Sequence, residues 1–149
     1  MTSISRSALV PYSAREMYDL VADIESYPDF LPWCGGAVIV ANDGDEVVAS
    51  IEIAYHKIHK TFTTRNVLQP GASMDMRLVE GPFRRLHGVW RFDALDSHSS
   101  RISLDIEFDF SNQVIALALG PVFGNIINTL VESFRQRAVT VYGARDWQG

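Results

Sequence analysis

The chain is poor in the features that most directly announce a chemistry. It has one cysteine, Cys34, so it can form no intramolecular disulfide and no cysteine-rich zinc site. That usage fits a reducing compartment. Positive charge is also scarce. Thirteen Lys and Arg against 18 Asp and Glu leave a net charge of −5, which opposes bulk attraction to DNA or anionic lipid and leaves only a local basic patch for such contacts. The longest apolar stretch, Val114 to Ile127, falls short of the ~18 residues a spanning helix needs and is interrupted by Gly120-Pro121. There is no G-x-S-x-G, H-E-x-x-H or glycine-rich phosphate loop. Neither a charged segment with an apolar run nor an Arg-rich presequence opens the chain, so a cytoplasmic protein is expected, with peripheral membrane contact still open.

What is present is strong periodicity. The 149 residues suit one domain, which can bury roughly 70% of its unfolded surface without staples. Ile4–Val10 reads as a first strand. Ser13 with Glu16 forms a capping-box pattern ahead of a helix over Ala14–Ala22. Residues 21–34 follow, with Tyr27, Phe30, Leu31 and Trp33 between Pro28 and Pro32. Two prolines there rule against a long regular helix.

Period-two patterning then takes over. Val47, Ala49, Ile51, Ile53 and Tyr55 share one strand face; further strands run through Ile58–Leu68, Met74–Leu78, Leu86–Phe92 and Ile102–Phe110. Asn42–Asp45, Pro70-Gly71 and Gly81-Pro82 supply turns. Near the end the period becomes 3.6, with Val122, Phe123, Ile126, Ile127, Leu130, Val131, Phe134, Ala138 and Val141 on one stripe. Gly120-Pro121 is expected to kink or break this helix, and Gly143 to end it. The order predicts an α+β fold in which a curved antiparallel β-sheet wraps around a long C-terminal helix.

Polar candidates for chemistry are weak. His56 and His59 are offset by three on strand-like segments, so they face opposite ways and share no metal. His87 is expected in solvent. Asp105, Glu107 and Asp109 occupy the outer face of a strand, where Arg84, Arg85 and Arg91 can pair with them. Cys34 has no nearby cation to activate it and reads as a small buried hydrophobe.

The apolar side offers more. Phe62, Met74, Met76, Phe83, Trp90, Phe92, Phe108 and Phe110 all fall on the concave face of the sheet. A curved sheet and a straight helix leave space near the helix start, bordered by Tyr27–Trp33 and Val114–Leu119. The expected cavity and entrance residues are Tyr27, Phe30, Leu31 and Trp33 from the aromatic segment, then Tyr55, Phe62, Met74, Met76, Phe83, Trp90, Phe92, Ile106 and Phe110 from the strands. The helix contributes Leu117, Phe123, Ile127, Val131 and Phe134.

The segment VADIESYPDFLPWC at 21–34 resembles the signature of the coenzyme Q-binding START-like family. The likeness continues through GPFRRLHGVWRF at 81–92, DIEFDF at 105–110, Val122-Phe123, and FRQRA at 134–138 ending in Val141-Tyr142-Gly143. The resemblance covers nearly the whole chain. It implies one START-like domain over residues 1–149 with the helix-grip fold, an internal hydrophobic cavity, and no metal or catalytic residue. Some members imply non-enzymatic binding of ubiquinone or another polyisoprenoid lipid in support of respiratory electron transport. Others, ribosome association toxins, imply binding to the large ribosomal subunit. The wider superfamily adds polyketide cyclase-like enzymes. Ubiquinone binding is the expectation preferred here. The ribosomal role is set second because of the acidic balance, and the cyclase last because the inward positions are apolar.

Overall fold

A computed structural model describes residues 1–146. Strand β1 (Thr2–Val10) leads into helix α1 (Ala14–Ala22), whose start is fixed by a reciprocal cap. The Ser13 hydroxyl accepts from the Glu16 N–H at 3.1 Å, and the Glu16 carboxylate accepts from the Ser13 N–H at 2.9 Å. Met17, Tyr18, Leu20 and Val21 form the buried face of α1. The two prolines then act as anticipated. Ile24–Asp29 is a short 3₁₀ segment, closed by the Phe30 and Leu31 N–H groups donating to the Tyr27 carbonyl.

Six strands follow: β2 (Cys34–Asp43), β3 (Glu46–Tyr55), β4 (Ile58–Gln69), β5 (Ser73–Glu80), β6 (Phe83–Ala94) and β7 (Ser100–Phe110). All pairings are antiparallel, in the order β1-β7-β6-β5-β4-β3-β2. The chain therefore meanders by hairpins from β2 to β7. Helix α1 and the 3₁₀ segment carry it from one edge of the sheet to the other. Register shifts at Cys34/Gly36, Ile39/Ala41, Thr63/Thr64 and Phe83/Arg85 bend the sheet around its concave face.

Helix α2 (Gln113–Tyr142) fills that concavity. The Asn112 side chain caps it by accepting from the Ile115 N–H at 2.9 Å. Leu119, Phe123, Ile126, Ile127, Val131, Phe134 and Ala138 form the buried stripe, packed on the sheet. At Gly143 the backbone turns to φ +90°, and its N–H donates to the Val139 carbonyl. This is the helix-grip architecture.

Two expectations about α2 need correction. It is not broken at Gly120-Pro121, since one helix runs through that pair. Pro121 removes one donor, the partner of the Leu117 carbonyl, but both residues are exposed, so water can take that carbonyl and the helix continues. By length and composition α2 also suffices to cross a bilayer. Its stripe nevertheless packs against the sheet as a core helix does.

The convex face carries cross-strand ion pairs, Arg91–Asp105 at 3.1 Å and Arg84–Asp109 at 3.6 Å, as the alternation predicts. His87 departs from expectation: it is half-buried because its Nε2 lies 3.0 Å from an Asp75 oxygen on the neighbouring strand.

Candidate functional site

Two adjoining spaces lie between the sheet, the middle of α2 and the aromatic segment. The inner one is a cavity of about 60 Å³. The outer one is a groove of about 400 Å³ lined by Pro32, Trp33, Tyr55, Pro121, Val122, Asn125, Ile126, Thr129 and Ser133. Trp33 and Ile126 line both, and so form the partition between them. Trp33 is held there by its own carbonyl, which accepts from the Ala54 N–H at 2.7 Å and ties the aromatic segment to the end of β3.

Half of the expected site residues meet at the inner cavity: Tyr27, Trp33, Phe62, Met76, Trp90, Ile106, Phe123, Ile127 and Phe134. Phe134 anchors this group. Its ring centroid lies 5.5 Å from Tyr27, 5.2 Å from Phe30 and 5.3 Å from Trp90, each in an edge-on arrangement.

The other expected residues lie elsewhere. Leu31, Met74, Phe83, Phe92 and Val131 are buried in the core but do not line the cavity. Phe110 stacks on Phe83 at 5.2 Å, behind the cavity wall. Phe30 lies outside Phe134, with the Arg137 guanidinium 4.8 Å from its ring centroid. Tyr55 borders the outer groove. Leu117 is 74% exposed, because it sits about 120° round the helix from the inward Phe123.

The cavity also recruits Thr64, Leu86, Leu104, Ile126 and Leu130, which sequence reasoning did not single out as site residues. The signal for Thr64 was hidden by polarity. Phe62, Thr64 and Asn66 alternate on the inward side of β4, and the Thr64 hydroxyl satisfies itself by donating to the Asn66 Oδ1 at 2.9 Å.

The chemistry of the lining is sparse. None of the lining residues carries a carboxylate, imidazole or ammonium group. The Tyr27 hydroxyl donates to the Val21 carbonyl at 2.5 Å, and burial pushes its pKa far up. Burial also raises the Cys34 thiol. Among the described residues no group of three His, Cys, Asp or Glu is arranged for a metal ion.

The opposite end of the molecule is polar. A surface pocket of about 550 Å³ is lined by Pro11, Glu16, Asp96, His98, Ser99, Arg145 and Asp146. Arg145 donates to both Glu16 carboxylate oxygens, at 2.8 and 2.9 Å, and lies over the Tyr12 ring at 4.8 Å. The Arg145 hydrogen bonds, aided by those from Ser13, lower Glu16 to about 2 despite partial burial.

Residues 10–135 match the family described as polyketide cyclase / dehydrase and lipid transport. Ribosome association toxin RatA of Pseudomonas aeruginosa is 46% identical over 95% of this chain and 99% of its own length. The RatA protein of Escherichia coli K12 is 46% identical over 97% of this chain and 92% of its own. A mitochondrial coenzyme Q-binding protein COQ10 homolog B from Xenopus laevis is 24% identical over 95% of this chain and 60% of its own. Among solved structures, the aromatase/cyclase Zhui from Streptomyces superimposes with a TM-score of 0.80 at 18% identity, covering 97% of this chain and 99% of the other. A START superfamily protein from Mycobacterium smegmatis gives 0.78 at 18% identity, covering 93% of this chain and 98% of the other. The family match and the extent of the likeness to the RatA proteins agree: the chain belongs to the polyketide cyclase / dehydrase and lipid transport family.

Proposed function

We propose that this protein associates with the large ribosomal subunit and opposes subunit joining, without catalysing a reaction. One observation carries the reading: the likeness to proteins named as ribosome association toxins, 46% identical, extends over 97% of the chain in the E. coli case. The cavity is consistent with this order of preference. An engineered protein cavity of about 150 Å³ admits benzene, whereas the space beneath α2 measures about 60 Å³. A quinone ring therefore has no preformed seat there. The lining also lacks the acid–base groups that a cyclase mechanism calls for. The test is sedimentation. Purified protein added to dissociated subunits should travel with the large subunit and reduce the fraction that joins when magnesium is restored. Migration with neither subunit would refute the proposal.

A second reading is binding of ubiquinone or a related polyisoprenoid lipid. It is favoured by the partition, since Trp33 and Ile126 alone line both the outer groove and the apolar cavity. A rotamer change at Trp33 would join the two. Organic extraction of the purified protein should then release a lipid, and added ubiquinone should bind saturably. Absence of both outcomes would remove this reading.

A further inference from the structure

Helix α2 leaves part of its apolar surface without a partner. From Gln113 through Val131 it carries no charged residue, and only 28% of its most apolar 18-residue window is buried. Val114 is 76% exposed and Leu117 is 74% exposed. Spaced by three and then four residues, Val114, Leu117 and Pro121 form one stripe, and Pro121 brings that stripe to the rim of the outer groove. Tyr55, from the β3–β4 hairpin, lines the same groove and is 45% exposed.

That hairpin is a local basic element in an acidic chain. Residues 55–60 read Tyr-His-Lys-Ile-His-Lys, with no acid among them. His56, Lys57, His59 and Lys60 are all exposed. His56 takes φ +54° at the tip, and the Tyr55 ring packs edge-on against it at 4.4 Å. An uncharged apolar helix face thus stands beside a cationic hairpin, with an aromatic residue between them.

We infer that this end of the molecule, the Val114–Leu117–Pro121 stripe with the Tyr55–Lys60 hairpin, docks on an anionic lipid bilayer. The stripe enters the boundary between headgroups and acyl chains, and Lys57 and Lys60 meet the headgroup phosphates. Tyr55 has the amphipathic ring that suits that depth. A nucleic-acid partner fits the lysines but gives no role to Val114 and Leu117. The inference goes beyond ribosome association and stands without it.

Vesicle flotation with the full chain tests it. Wild-type protein should float with vesicles containing phosphatidylglycerol, and much less with pure phosphatidylcholine. Leu117→Asp, and separately Lys57→Glu with Lys60→Glu, should each lower the bound fraction at least about tenfold. All three positions are exposed, so the variants should keep the wild-type circular dichroism and melting temperature. Val40→Asp, at an exposed apolar position on β2 outside this surface, is the control and should float as wild type does. The inference is overturned if wild type does not float, if both test variants float normally, or if the control loses as much. It is equally overturned if the lysine variant weakens binding to an RNA hairpin while flotation is unchanged.

Discussion

The two ends of the molecule are built by different means. At one end the start of α1 and the end of α2 are joined by directional polar contacts. The Tyr12 hydroxyl donates to the Gly143 carbonyl at 2.6 Å, the Tyr142 hydroxyl donates to the Glu16 carbonyl at 2.9 Å, and Arg145 grips the Glu16 carboxylate. At the other end Trp33, Tyr55 and Pro121 border an open groove with far fewer such contacts, and the first turns of α2 show apolar side chains to solvent. Directional bonds fix a geometry, whereas apolar packing tolerates rearrangement. The polar end is held by directional bonds, and the apolar end is where the proposed opening and docking would take place.

The largest blow to this division should come from Phe134, which lies in the second half of α2 and is fully buried. Phe134→Ala should destabilise the protein by about 3–5 kcal/mol in denaturant melts. Trp33→Ala should cost less, about 1–2 kcal/mol, because the ring is only partly buried. It should also merge groove and cavity, so that benzene raises the melting temperature of the variant and not of wild type. If benzene acts on both proteins alike, Trp33 is not the partition. At the polar end, Ser13→Ala removes the cap of α1 and should cost about 1 kcal/mol, read by the same melts, with vesicle flotation and any lipid uptake unchanged.

The smallest effect concerns pH. Glu16 sits at about 2 in the folded chain against an ordinary value of 4.5. A lowered folded pKa adds stability that is fully present above the ordinary value and is lost as pH falls toward the folded one. Glu16→Gln keeps the capping box and discards the charge. The melting temperature of wild type should exceed that of the variant by at most about 4 °C at neutral pH, since a partly exposed ion pair contributes little. That gap should close between pH 4.5 and about 2. A gap that persists below the window would place the difference outside this carboxylate.

Much of the fold was legible in the sequence because each element is locally consistent. The Ser13–Glu16 cap, the alternation on β3 and β7 and the 3.6-residue stripe of α2 all point the same way. The cavity was only half legible. Alternation says which face of a strand turns inward, but not how far along it the helix lies. Leu86 and Leu104 therefore went unnoticed as lining while Met74 and Phe92 were over-read. Polarity kept Thr64 and Asn66 from being recognised as inward, although they continue the alternation that Phe62 begins on β4. Pro121 misled for a different reason: the rule that proline breaks helices presumes a carbonyl with no other partner, and here solvent is at hand.

The pairing of β1 with β7 has a consequence for the timing of synthesis. Thr2 lies opposite Phe108 and Val10 opposite Ser100, so the partners are separated by 106 and 90 positions (108 − 2 and 100 − 10). A ribosome adds about 5–20 residues per second, so β1 waits several seconds outside the exit tunnel before its partner strand exists. Its sequence suits the wait. Thr2, Ser3, Ser5, Arg6 and Ser7 make it a polar strand that stays exposed even in the finished sheet. The strand made first is completed last, and it offers little apolar surface to misjoin with a neighbouring nascent chain.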